Sequence, residues 1–295
     1  MKLSQIALVV ALSAVTAFGV TKYTAAPAGP ATEAKKETRL EQVKRTGVLR
    51  CGYYLWPPFL DKDLTTGEMK GMFAELINEI GKQLNVKVQW STEILHDQIP
   101  TDLASNRYDM LCGMLFATPT RAREMAFTTP LLIHPAYLFV RADDHRFDNN
   151  YEAANDPSIK FAILDGEYSA IAANERYPRA QKVALPQNAS GPELLLNVSG
   201  KKADIVATEA MTYALFNKSN PGQLRRVEGP PESIIEASFP LPLNEPAFKN
   251  TIDTTMTYLH GTGFINKLLD KYETTDIKFL RMPKPYIVKE GSNAP

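Results

Sequence analysis

Two threonines, a proline and an arginine follow an apolar segment of this 295-residue sequence, as Thr118-Pro119-Thr120-Arg121. Threonine is a good helix N-cap and proline suits the first helical position, so a helix is predicted to begin here with free backbone amides. The positive end of a helix favours an anion, and the planar guanidinium of Arg121 is suited to clamp a carboxylate. The sequence predicts an anion site, with a solvated surface arginine as the alternative.

Three further side chains could meet the same ligand. Glu209 follows the apolar segment 205–207, so the sheet edge where ligands bind would carry an acid that accepts hydrogen bonds from an amine. Trp56 lies in the proline-rich stretch 56–59 and could offer a flat apolar or cation–π wall. Ser169 could donate to a carboxylate. Simple packing for Trp56, and helix capping for Glu209 and Ser169, are the alternatives.

Charge and histidine spacing argue against two classes of partner. Lysine plus arginine equal aspartate plus glutamate at 33 each, and no stretch concentrates basic residues as a nucleic-acid-binding face would require. The histidines stand apart, without the short-range partners of a zinc site. They are His96, His134, His145 and His260. We therefore expect no nucleic acid and no metal.

The N-terminal segment has the pattern of an export signal. An apolar run at 6–20 follows Lys2 and is shorter than the roughly 20 residues that cross a bilayer. Residues 1–20 are interpreted as a signal peptide, with an uncleaved membrane anchor as the alternative. Residues 21–39 are interpreted as a linker rich in alanine and proline.

The chain contains two cysteines, Cys51 and Cys112. Export would place them in an oxidising compartment, where they could form a disulfide. Two buried thiols are equally compatible with the sequence, because spacing alone does not decide between the two states.

The elements that must position these side chains follow an α/β order. Apolar segments with strand character occur at 48–53, 86–90 and 108–115. Between the first two, apolar residues recur at helical spacing over 72–84. This order of strand, helix and strand predicts parallel pairing with right-handed crossovers.

The same order returns later in the chain. Strands are predicted at 160–164 and 203–207, and Ser190 to Glu193 form a capping-box pattern that opens a helix closed by Gly200. A repeated α/β order predicts two lobes. The predicted parts are lobe 1 at 40–140 plus 238–275, lobe 2 at 141–237, a polar tail at 276–295, and hinge linkers near 140–142 and 237–241.

The succession of motifs from Leu40 to about Tyr272 resembles the family-3 extracellular solute-binding proteins of ABC transporters, of the polar amino-acid type. The motifs that carry the resemblance are Thr46-Gly47-Val48-Leu49-Arg50-Cys51-Gly52, Trp56 to Phe59, Gly71, Arg107-Tyr108-Asp109, Thr118-Pro119-Thr120-Arg121, Phe127-Thr128-Thr129-Pro130, Leu138-Phe139-Val140-Arg141, Gly200 through Glu209, and Gly261-Thr262-Gly263 to Lys271-Tyr272. The resemblance implies a two-lobed type II periplasmic binding protein fold. Each lobe would have a mostly parallel sheet flanked by helices, and two strands would form the hinge.

The resemblance also implies roles for the candidate residues. Arg121 would bind an α-carboxylate and Glu209 an α-amino group. Trp56 would stack on the ligand, while Thr118 and Ser169 would help to hold the carboxylate. The sequence departs from the family pattern near the site, which alters the size and polarity expected of the pocket. The departures are Met114 and Phe116 before the motif, Glu167 and Tyr168 in place of paired threonines, and Glu209 in place of an aspartate.

The function implied is capture of a small polar solute, an amino acid or a close relative, by hinge closure. The expected protein is a periplasmic monomer that delivers its solute to the membrane permease of an ABC transporter, breaks no bonds and needs no cofactor. One alternative is a cyclohexadienyl dehydratase-like enzyme on the same fold, with Glu209 as general acid. The other is a membrane-tethered solute sensor domain.

Overall fold

The structure is a computed structural model that describes residues 37–186, 189–275 and 277–283. The described residues from Thr38 onward belong to one compact unit. Over the described stretches, no helix has both the length and the apolar character that crossing a membrane requires. The predicted signal peptide or anchor at 1–20, nearly all of the predicted linker at 21–39 and most of the predicted tail lie outside the described residues.

Helices and strands alternate along the described chain. The α-helices are Arg39–Thr46, Met72–Gln83, Ile99–Ala104, Pro119–Ala122, Tyr168–Glu175, Gly191–Ser199, Ala210–Ser219, Pro246–Gly261 and Phe264–Tyr272, with short 3-10 turns at His96–Gln98 and Tyr151–Ala154. The strands are β1 Val48–Tyr53, β2 Asp61–Lys62, β3 Met69–Lys70, β4 Lys87–Glu93, β5 Met110–Leu111, β6 Leu115–Phe116, β7 Met125–Phe127, β8 Leu132–Arg141, β9 Lys160–Ile163, β10 Gln181–Ala184, β11 Ile205–Glu209, β12 Leu224–Arg226, β13 Ser233–Ser238 and β14 Pro240–Pro242.

The first lobe is built on a parallel sheet in the order β4-β1-β5. The helix Met72–Gln83 buries its apolar face against this sheet, and the helices Pro246–Gly261 and Phe264–Tyr272 pack on it from the C-terminal part of the chain. Gly71 precedes the first of these helices with a φ of +107°, and a Cβ there would lie 2.5 Å from the Phe59 carbonyl oxygen. Only glycine fits this position without strain.

A second, mixed sheet has the order β10-β9-β11-β8-β13-β6, with β12 also pairing β8, and it extends from the second lobe to β6 of the first lobe. Strands β10, β9 and β11 are parallel, as the repeated α/β order predicts. Strands β8 and β13 are antiparallel to their neighbours, because they run between the lobes and not through a helical crossover.

The two lobes are joined by strands β8 and β13. Leu132 pairs with Ala237, and Ala237 also pairs with Phe116 of the first lobe. Farther along, β8 pairs with β11 from Ala136 to Val140. β8 thus pairs first with β13 near Leu132 and then with β11 of the second lobe, before the predicted linker at 140–142, whose role as a hinge stays a prediction. The predicted second linker at 237–241 includes the end of β13, and its role as a hinge likewise stays a prediction.

Local helix signals are reproduced closely. Ser190 and Glu193 form both halves of a capping box, and the helix Gly191–Ser199 ends at Gly200, as predicted. Thr118 caps the short helix Pro119–Ala122, with proline at its first position. These caps satisfy backbone amides that would otherwise lack partners at the helix ends.

The described start of the predicted polar tail packs against the protein body. Ile277 and Phe279 are buried, and the Phe279 ring meets Phe59 edge to face at 6.0 Å between centroids. Leu280 pairs with Ile133 as an isolated bridge. Residues 277–280 therefore differ from the prediction of a polar tail, because alternate apolar side chains cover the first lobe beside the crossing strand.

Candidate functional site

A cavity of about 700 Å³ lies between the lobes, where the loops after β1, β4, β9 and β11 face one another. Loops at the carboxyl ends of parallel strands are the usual ligand-binding edge of such sheets. Trp56, Arg121, Ser169 and Glu209 all line this cleft. The structure thus brings together side chains that are far apart in the sequence.

Arg121 reaches from the first lobe to the second. Its guanidinium donates through Nη1 to the Phe116 carbonyl at 3.0 Å and through Nη2 to the carbonyl of Gly166 on the opposite lobe. Only 7% of the residue is exposed, so it is not a solvated surface charge. Burial lowers the pKa of Arg121, and nearby Glu167 acts to raise it. An arginine side chain stays charged even when it is buried, so the cleft contains a desolvated cation.

Thr118 supports Arg121 from behind the cleft. Its hydroxyl accepts a hydrogen bond from the Arg121 backbone amide at 3.4 Å, and the residue is buried. Its predicted contact with a ligand stays a prediction, and Thr118 is not among the described residues that line the cleft. The reason is that its hydroxyl is turned into the N-cap of the helix that carries Arg121.

Glu209 faces the cleft from the end of β11. It is the first residue before the helix Ala210–Ser219, yet its side chain makes no capping hydrogen bond. Its carboxylate accepts hydrogen bonds from the hydroxyls of Thr212 and Thr208. Burial raises the pKa of Glu209, and the nearby charge of Glu167 raises it further against the effect of the Thr212 bond. A desolvated carboxylate of this kind favours a cation.

Ser169 and Trp56 have structural contacts in addition to their cleft positions. The Ser169 hydroxyl accepts a hydrogen bond from the Leu164 amide at 3.0 Å, which holds the loop after β9. Its own hydrogen remains available to an acceptor. The Trp56 ring packs edge to face on Phe59 at 5.1 Å between centroids. Packing therefore fixes the orientation of a ring that also lines the cleft.

Glu167 and His96 form a pair across the cleft. The sequence motifs predicted neither residue as part of the site. His96 Nε2 lies 2.9 Å from the Glu167 carboxylate, of which 30% remains exposed. Burial acts to raise the pKa of Glu167, but the effects of His96 and Arg121 outweigh that of burial and hold the pKa at about 2. Glu167 also accepts a hydrogen bond from the Tyr168 amide at 3.3 Å. The only signal in the sequence was its departure from the paired threonines of the resembled family.

His134 is a second residue that the sequence did not identify. It lies on β8, lines the cleft and is 5% exposed. Its Nε2 has no hydrogen-bond partner among the described residues. Burial lowers the pKa of His134 to about 4, so the ring is neutral near neutral pH. A buried polar atom without a partner is costly, and a ligand polar group or a water would satisfy it.

Aromatic rings form much of the remaining wall. Phe116 and Tyr168 meet edge to face at 5.1 Å, and Tyr54 lies against His96 at 4.6 Å between ring centroids. The Tyr54 hydroxyl donates to the Met114 carbonyl at 2.6 Å, which fixes the ring. The cleft therefore combines a few charged groups with a stiff apolar surface, the usual composition of a small-molecule site.

Cys51 and Cys112 are joined by a disulfide, with their Cα atoms 5.3 Å apart. Cys51 lies on β1, and Cys112 follows the neighbouring strand β5 directly. The bond ties β1, which precedes the loop with Trp56, to the end of β5, which is followed by β6 and the Arg121 helix.

Comparison with known proteins places this architecture among binding proteins. The sequence model of the bacterial extracellular solute-binding proteins, family 3, matches residues 49–275. A probable amino-acid ABC transporter-binding protein of Haemophilus influenzae is 26% identical over 147 residues, which are 50% of this chain and 51% of that protein. The chain therefore matches about half the length of this curated relative.

Solved structures support the same fold. An ancestral amino acid-binding protein, a precursor of cyclohexadienyl dehydratase, is 23% identical with a TM-score of 0.68, covering 80% of this chain and 100% of its own. A cysteine-binding protein from Campylobacter jejuni is 20% identical with a TM-score of 0.69, covering 83% and 100%. The predicted two-lobed α/β fold is confirmed.

Proposed function

The chain belongs to the bacterial extracellular solute-binding proteins, family 3, and we propose that it captures an amino acid for an ABC uptake system. The observation that carries this proposal is that Arg121 and Glu209 line one cleft from opposite lobes. A guanidinium suits an α-carboxylate, and a carboxylate suits an α-ammonium group. The two ends of a zwitterion would each meet an opposite charge.

Capture would proceed by closure of the lobes about β8 and β13. A solute that contacts both lobes stabilises the closed arrangement in proportion to the contacts that exist only there. The bond from Arg121 to the Gly166 carbonyl is one contact between the lobes that supports this closure. The closed protein would then dock on a membrane permease. We propose that the protein acts in the periplasm as a monomer, free or tethered by its N-terminal segment.

A dehydratase activity is the second candidate, favoured by two observations. Burial raises the pKa of Glu209, as a general acid requires. A solved structural neighbour is also named as a precursor of cyclohexadienyl dehydratase. Incubation with prephenate and with arogenate separates the candidates: release of an aromatic product would replace the binding-only proposal, and unchanged substrate supports it.

The proposal is tested by a thermal-shift panel of amino acids, followed by calorimetric titration of those that raise the melting temperature. A ligand that binds only the folded state raises its apparent stability. Arg121→Ala should abolish the shift, because it removes the only arginine that lines the described cleft. Arg123→Ala is the matched control, since Arg123 is exposed two residues farther along. Failure of every amino acid to bind would overturn the proposal.

A further inference from the structure

The charges of the cleft are unbalanced. Among the described lining residues, the acids are Glu93, Glu167 and Glu209, whereas Arg121 is the only lysine or arginine. A zwitterionic amino acid has no net charge, so its binding would leave this excess of carboxylates in place. The excess of acids therefore indicates that the ligand has a positive charge besides its α-ammonium group.

Two of these acids are neighbours on one sheet edge. Strands β9 and β11 are adjacent and parallel, with Ile205 beside Phe161. Glu167 follows the first strand and Glu209 ends the second, so both carboxylates enter the cleft from the same side. The charge of Glu167 contributes to the raised pKa of Glu209, as expected for like charges in a poorly solvated site.

The partners already present balance this charge only in part. Glu209 is bound by two neutral threonine hydroxyls. Glu167 is bound by a backbone amide and lies beside His96, whose ring is charged only when protonated. Glu93 is exposed where it lines the cleft. The low pKa of Glu167 keeps it ionised at neutral pH. A cationic group placed between these acids would relieve their repulsion.

We propose that the cleft selects amino acids with a cationic side chain, and that Glu167 supplies the second counter-ion beside Glu209. This inference rests on the proposed amino-acid capture. Arg121 takes the carboxylate of the ligand, and the two acids of the second lobe take its positive charges. The aromatic wall of Tyr54 and Trp56 covers the apolar stem of a long side chain and can face its cation.

Matched ligand pairs test this selection. L-arginine is compared with L-citrulline, its neutral isostere, and L-lysine with L-norleucine, by calorimetric titration of the full chain at about pH 8, where histidine is ordinarily neutral. We expect each cationic member to bind at least about tenfold more tightly, the effect of one charge-assisted hydrogen bond. In Glu167→Gln this preference should fall to about threefold or less. In Glu228→Gln, which removes an exposed second-lobe acid outside the cleft lining, it should persist.

The outcomes separate this inference from the proposed function. Equal binding within each pair, or tighter binding of neutral or acidic amino acids, overturns cationic selection and leaves amino-acid capture standing. An unchanged preference in Glu167→Gln overturns the role of Glu167. Binding of no amino acid at all overturns the proposed function itself.

Discussion

Replacement of Glu209 by glutamine should weaken ligand binding and at the same time stabilise the ligand-free protein. Glutamine has the shape of glutamate and can keep hydrogen bonds with both Thr208 and Thr212, but it has no charge. The bond between a carboxylate and an ammonium group contributes about 1.5–3 kcal/mol, so the dissociation constant should rise about 10- to 150-fold. Calorimetric titration with the tightest-binding amino acid measures this loss.

The effect on stability follows from the direction of the pKa shift. The pKa of Glu209 is raised by burial and by Glu167, so folding favours its protonated form. The wild-type protein therefore loses stability as the pH rises from the ordinary carboxyl range through the raised pKa. Glu209→Gln does not titrate, so its melting temperature should exceed that of the wild type near neutral pH, with the difference disappearing in acid.

Thermal melts of the ligand-free proteins across this pH range check the second half of the prediction. Glu228→Gln serves as the control, because it removes an exposed acid outside the cleft lining. A Glu209→Gln variant that binds as tightly as the wild type would refute the role of Glu209. A variant that melts at a lower temperature near neutral pH would refute the electrostatic reasoning.

Three other perturbations have defined outcomes. Reduction of the Cys51–Cys112 disulfide, which closes a 61-residue separation, should lower the free energy of unfolding by about 4 kcal/mol in urea titrations; an unchanged midpoint would contradict this. His134→Phe should weaken binding equally at about pH 6 and pH 8, because the His134 pKa of about 4 keeps the ring neutral over this range, and a pH-dependent loss would argue against it. Gly166→Ala should weaken binding more than the control Gly222→Ala. Both glycines have a positive φ, but only a Cβ added at Gly166 would contact the opposite lobe, 3.0 Å from the Asp97 backbone nitrogen. Equal affinities in the two variants would show that close approach there is unimportant.

Much of the architecture follows from local sequence signals. Apolar runs identified the central strands of both sheets, and the capping residues Ser190 and Thr118 marked helix starts that the structure reproduces. The predicted family is confirmed by the match over 49–275. Such features depend on neighbouring residues and therefore leave a pattern in a single sequence.

The passage of the chain from one lobe to the other leaves no local signal in the sequence, for a physical reason. Strand β8 continues without a break from Leu132 to Arg141, so no glycine, proline cluster or polar turn marks its passage from one lobe to the other. Its position is decided by strand partners more than sixty residues away, at 205–209 and 233–238. Pairing of this kind leaves no local signal.

The site was predicted only in part, because long-range contacts leave no local signal in the sequence. Trp56, Arg121, Ser169 and Glu209 belong to motifs at strand ends, and the structure collects them in one cleft. His96 and His134 are isolated in the sequence and enter the site only because two lobes fold against each other. Thr118 belongs to a motif, but its hydroxyl bonds the backbone. The ligand-binding role of each residue remains a prediction.

We propose that Arg121 and Glu209 hold opposite ends of one captured amino acid. The most direct measurement titrates wild type and Arg121→Ala with the tightest-binding amino acid and with the amine that remains after removal of its carboxylate. We expect that the substitution weakens binding of the amino acid by at least about tenfold and that of the amine by less than about threefold. Equal losses for the two ligands, or no loss for the amino acid, would contradict it.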